Sequence, residues 1–202
     1  MTASPSTHVG STSLARLLDQ RAPAREIAAF LDDLAPDARL GEVLSITGSK
    51  VGRLYDAVAD AEPLTVDEFF PPSTSGTLIY EGRNSLPLFS RFQKRFARVG
   101  SGVIVGYNHQ TMAPVTGPGF FVVKPASGTG EHGKEMFFDY TVEPPEFPAG
   151  FPTYKPNTSG LSRLVYMNMI DYCRRVARGV VVGKAYKLGV DQKAWFSLTL
   201  PG

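Results

Sequence analysis

Residues 86–110 read LPLFSRFQKRFARVGSGVIVGYNHQ, and a change of hydrophobic period inside this stretch decides the fold. In its first part Leu88, Phe89, Phe92, Phe96 and Val99 recur at helical spacing. Arg91, Lys94, Arg95 and Arg98 fall mostly on the other side, which predicts an amphipathic helix. In its second part glycines bound Val103-Ile104-Val105, and the run continues into Tyr107-Asn108-His109 as a strand.

The strand signal spreads outward from there. TLIYEG (77–82), GFFVVK (119–124), MFFDYTVE (136–143), GVVVGKAY (179–186) and AWFSLTL (194–200) are short, rich in β-branched and aromatic residues, and bounded mostly by Gly or Pro. LSRLVYMNMIDYCRRVARG (161–179) reads as a second amphipathic helix on Leu161, Leu164, Val165, Tyr172, Cys173 and Val176, although LVYM reads equally as a strand. The connections are too short for parallel crossovers, so pairing is antiparallel, and curling the sheet into a barrel removes its apolar edges. The expectation is an α+β fold: a curved antiparallel β-sheet or barrel of six to seven strands, with inserted amphipathic helices and an N-terminal helical segment.

Upstream, residues 1–12 are Ser/Thr/Pro-rich without periodicity and read as a disordered tail. Residues 13–72 form the helical segment. Its apolar stripes are Leu14, Leu17 and Leu18; Ile27, Phe30, Leu31 and Leu34 behind Pro23; and Val51, Leu54, Tyr55 and Val58. Thr65 and Glu68 have capping-box spacing before a turn of helix that Pro71 and Pro72 stop. Residues 73–202 carry the barrel-like domain. Within it, 77–124 and 163–200 share a plan: Gly102-Val103-Ile104-Val105-Gly106 matches Gly179-Val180-Val181-Val182-Gly183, with Tyr80 and Tyr166 as a weaker leading match. An internal repeat is therefore expected.

In strand pattern and size, residues 77–200 resemble the small ligand-holding barrels of the lipocalin-like (calycin) group. They carry no diagnostic lipocalin motif, and the inserted helices depart from that group's plain meander. The resemblance implies a ligand-binding barrel; fold alone does not transfer function.

Composition narrows the partners. Charge is balanced, 21 Lys+Arg against 19 Asp+Glu, which gives no reason to expect nucleic acid. No apolar run reaches the ~18 residues of a membrane helix. The single cysteine, Cys173, cannot form an internal disulfide, and the first residues lack a secretory pattern, so a cytoplasmic protein is expected. Three histidines scattered at 8, 109 and 132 argue against a protein metal site.

Alternation assigns faces to the candidate site residues. Met136, Phe138, Tyr140 and Val142 share an inner face, with Asp139 outside. Trp195, Ser197 and Thr199 oppose Phe196, Leu198 and Leu200. Val103, Val105, Tyr107 and His109 are co-facial, and their repeat equivalents are Val180, Val182, Lys184 and Tyr186, so both strands turn polar and aromatic at one end. In the stretch 143–160, EPPEFPAGFPTYKPNTSG, five prolines and Phe147, Phe151 and Tyr154 suggest a lid or strap. SGTGEHGKE (127–135) misses the P-loop pattern, since Glu135 and then a strand follow Lys134; it reads as a hairpin turn with His132 exposed.

Three functions follow. The first is binding of a small hydrophobic or amphiphilic ligand in a barrel cavity, oriented by Tyr107, His109, Tyr140, Lys184 and Tyr186, with Phe147, Phe151, Tyr154 and Trp195 as further contacts. The second is a cofactor-free isomerase, cyclase or hydratase with His109 as proton carrier and Tyr140 or Lys184 stabilising charge. His109 is also a candidate haem ligand; the cofactor is otherwise unknown. The third is an interaction module using the basic helix faces of Arg91, Lys94, Arg95 and Arg98 and of Arg174, Arg175 and Arg178. Oligomeric state does not follow from the sequence.

Overall fold

The computed structural model describes residues 12–87, 90–110 and 116–202; the expected tail at 1–12 lies almost wholly outside them, as do Leu88 and Phe89. Eight strands close one antiparallel barrel in chain order: β1 (Thr77–Asn84), β2 (Arg91–Arg98), β3 (Ile104–His109), β4 (Phe120–Lys124), β5 (Met136–Asp139), β6 (Met169–Ala177), β7 (Val180–Lys187) and β8 (Val190–Thr199). β8 returns to pair with β1 through Glu81↔Thr199 to Asn84↔Phe196. An eight-stranded barrel is just narrow enough for side chains to fill.

Two strands replace the two helices expected in the barrel. The first stretch is β2, whose residues pair with β1 (Tyr80↔Lys94) and with β3 (Phe96↔Gly106). The second holds only a four-residue helix, α6 (Ser162–Val165), before β6. The barrel thus has eight strands instead of six or seven. The basic helix faces do not exist. Lys94 points into the barrel, Arg174 lies over the Tyr55 ring, Arg175 pairs with Glu68, and Arg98 donates to the Phe70 carbonyl. GVIVG and GVVVG fall on β3 and β7, four strands apart in the closed order. Tyr80 and Tyr166 lie in unlike elements, a strand and the residue ending α6.

The interior is built from aromatic rings. Phe69, Phe96, Phe121 and Phe138 pack with neighbouring centroids 4.9–5.6 Å apart. Phe69 comes from α5 (Val66–Phe69), where Thr65 accepts from the Glu68 amide as the capping spacing predicts. It stacks on Tyr80 at 4.7 Å and plugs one end of the barrel together with Leu64 and Phe70. The rings fit because glycines on adjacent strands make room. Gly82, Gly106 and Gly183 sit directly opposite Phe92, Phe121 and Phe196, and each ring folds over its glycine.

A second core lies outside the barrel. Helices α1 (Leu14–Asp19), α2 (Ala24–Asp32), α3 (Pro36–Ser45) and α4 (Ser49–Ala57) pack their apolar stripes against Val176, Val180, Val182 and Trp195. This covers part of the outer face of β6–β8, so around Val176, Val180, Val182 and Trp195 those strands are buried on both sides. Arg174 and Tyr55 converge on the buried Glu135, at 2.9 and 2.6 Å, and pin helix to barrel.

Candidate functional site

β3 separates two environments. Ile104, Gly106 and Asn108 face the interior, while Val105, Tyr107 and His109 face outward. The strand ends at the barrel mouth opposite the α5 plug, where β1 ends and β2 begins.

Just inside that mouth sits a buried polar cluster. Lys94 of β2 is 2 % exposed, and its Nζ donates to Asn108 Oδ1 at 2.8 Å, Tyr140 OH at 2.5 Å and Asp171 Oδ2 at 3.1 Å. Tyr140 OH in turn lies 3.1 Å from Asp171 Oδ2. The rings of Phe121, Phe138 and Phe196 surround the ammonium at 4.7–5.1 Å. Burial lowers the Lys94 pKa against the pull of Asp171, and burial and then Asp171 push Tyr140 well above its ordinary value. Tyr166 stacks on Tyr140 at 5.5 Å and is raised to about 12, mainly by burial. When protonated, Lys94 commits its three N–H groups to these acceptors and has no lone pair to offer a substrate, and the cluster is then an internal ion pair with Asp171. Of its members sequence reasoning found Tyr140. Lys94, Asn108 and Asp171 were missed, because Lys94 and Asp171 sit on the strands taken for helices and Asn108 on the face opposite His109.

A groove of about 970 Å³ opens on the outer wall of β1–β3, between Glu81, Arg95, Tyr107 and His109 and the strap residues Phe151 and Lys155. Phe151 packs edge-on to Tyr107 at 4.7 Å, and Tyr107 lies 6.4 Å from His109. Arg95 Nε and Nη2 donate to Gln93 Oε1 at 3.0 and 2.7 Å, and Gln93 donates to Glu81 at 2.7 Å. Arg95 Nη1 also donates to Tyr107 OH at 3.5 Å, so Arg95 is held in place by neutral acceptors, with one further N–H on each terminal nitrogen left for a guest. Arg91 and Lys155 add exposed positive charge. Partial burial and then the Arg95 charge lower the His109 pKa against Glu81, which favours the neutral imidazole. Phe92 and Asn108 also line the groove, which brings its inner end to the Lys94 cluster.

The remaining candidates lie elsewhere. Lys184 and Tyr186 are on β7, four strands away from β3, and do not join Tyr107 and His109. Lys184 pairs with Asp191 at 3.0 Å; partial burial opposes its charge, but the Asp191 hydrogen bond and Tyr186 raise its pKa. Trp195 is packed against the helices. Phe147 and Tyr154 pack as tilted rings 4.5 Å apart against Phe120 on the outer wall, and Asn157 donates to the Phe120 and Tyr140 carbonyls, so the proline-rich stretch is a strap beside the mouth. Val142 is exposed, outside the face it was expected to share with Tyr140. SGTGEHGKE does turn the β4–β5 hairpin, but His132 is tucked in, stacked on Tyr172 at 3.9 Å. Among the described residues no group of three or more His, Cys, Asp or Glu could hold a metal ion, and no helix is long and apolar enough to cross a membrane. Comparison with protein-family models, curated proteins and solved structures finds no match to this chain.

Proposed function

We propose that the protein binds a small amphiphilic molecule carrying an acidic group, in the groove between the β1–β3 wall and the strap. The observation that carries this reading is the groove itself: about 970 Å³, with aromatic surface from Phe92, Tyr107 and Phe151 beside Arg91 and the pre-positioned Arg95. Its size suits a drug-sized ligand, whose apolar body would lie on the rings and whose acid would take the free Arg N–H groups. The barrel interior, filled by contacting rings, leaves the groove as the better place for a guest. The pairing of all eight strands in chain order also supports the lipocalin-like reading, with the ligand moved from the interior to the rim.

Anilinonaphthalene sulfonate, an aromatic anion, is a direct probe. Its fluorescence should rise saturably at a single site. Arg95→Ala should weaken binding about tenfold, the loss of a charge-assisted hydrogen bond. Tyr107→Ala should weaken it as well, and an uncharged naphthylamine should bind less tightly than the sulfonate. Non-saturable binding, or affinity indifferent to Arg95 and to ligand charge, rejects the proposal.

A further inference from the structure

The mouth of the barrel carries a second surface, away from the groove. Leu188 at the tip of the β7–β8 turn is 80 % exposed, Leu164 of α6 is 66 % exposed and Val190 is 63 % exposed; Leu161, Val165 and Met167 are also exposed. These residues form one patch. Lys187 Nζ donates to the Leu164 carbonyl at 2.6 Å, and the Leu188 amide donates to the Asn168 carbonyl at 3.1 Å, so hairpin tip and α6 are clamped side by side. Leu188 has a positive φ of 50°, a conformation awkward for a branched side chain, and yet it presents leucine to solvent. Aliphatic side chains held out in this way need a covering surface.

Charge selects what covers them. Arg163, Lys187 and Lys193 flank the patch, against Asp191 within it and Glu131 at its edge. Asp191 is already engaged by Lys184 and Lys193 at 3.0 and 2.9 Å. A second copy docked patch to patch would set two rims of net positive charge against each other. The protruding aliphatic tips with a basic rim instead match an apolar layer beneath an anionic one. We infer that this end of the barrel docks on an anionic lipid bilayer, with Leu164, Leu188 and Val190 entering the acyl boundary and the basic residues meeting headgroups.

The test uses the whole protein and does not depend on the groove. Sedimentation with vesicles of phosphatidylcholine and phosphatidylglycerol, at about 7:3, should carry down several-fold more protein than phosphatidylcholine alone, and about 0.5 M salt should reverse it. Leu164→Glu with Leu188→Glu should abolish sedimentation while leaving the melting temperature unchanged, since both side chains are exposed. Arg163→Glu with Lys187→Gln should reduce it about tenfold. Absence of vesicle binding, binding that survives the double leucine replacement, or a concentration-dependent dimer that this replacement abolishes would each overturn the inference.

Discussion

Lys94 and His109 show how much one strand position decides. Lys94 is enclosed with Asp171 in an aromatic chamber, so removing one partner leaves the other charged and unpaired in a medium that solvates it poorly. Lys94→Ala should cost about 3–5 kcal/mol in urea denaturation, while Lys94→Met with Asp171→Leu should recover most of that loss. A cost below about 1 kcal/mol for the single change would mean that the pair is not held as described. His109 is on the outer face and subject to the Arg95 charge. Its NMR titration midpoint should fall below 6.5, rise in Arg95→Ala and fall further in Glu81→Gln. The sign for stability follows. The unfolded chain takes up this proton at higher pH than the folded one, so stability falls as pH drops from above 6.5 through the folded pKa, then levels off. Solvent at this exposed position screens the effect, which makes the titration the better readout.

At the level of elements, the same ion pair explains what the sequence concealed. β2 and β6 are the two strands read as helices, and they carry Lys94 and Asp171, the inward charges. A lysine between Phe92 and Phe96 breaks the two-residue alternation and leaves an i, i+4 aromatic spacing that imitates a helix. In β6 the outer face is covered too, Val176 by the helical segment and Tyr172 by His132 of the β4–β5 hairpin, so Ile170, Tyr172 and Val176 blur the contrast with Asp171 and Cys173. The six strands that were legible, β1, β3, β4, β5, β7 and β8, have no charged side chain between inward apolar ones. On β3 and β7 the phase was still misleading: their outer faces are apolar because the strap and the helices cover them, and their inner faces are thinned by glycine. Those glycines give the element-scale prediction. A methyl at Gly106 would meet the Phe121 ring and, at 2.9 Å, the Arg95 carbonyl, whereas the atoms nearest one at Gly183 all belong to the Phe196 ring, a side chain that can shift where a backbone carbonyl cannot. Both Ala variants should lose about 1–3 kcal/mol by overpacking, with Gly106→Ala the worse, as thermal denaturation will show.

For the whole molecule, the question is whether helices and barrel are separable. The single Trp, Trp195, sits in their seam with its ring against Gly52 of α4, while the neighbouring Phe196 points into the barrel. β8 therefore contributes to both cores at once, and Glu135 joins Tyr55 of the helices to Arg174 of β6. Loss of the helices would uncover Val176, Val180 and Val182 along the barrel wall, an apolar surface that a free barrel would not tolerate. The two parts should then unfold together: Trp195 fluorescence, which reads the seam, and far-UV circular dichroism, which reads mostly the strands and helices, should give superimposable urea transitions. Leu54→Ala, fully inside the helical core, should shift both midpoints equally, by the equivalent of about 2–5 kcal/mol. A fluorescence transition that moved ahead of the dichroism signal in that variant would mean that the helices detach from a barrel able to stand alone.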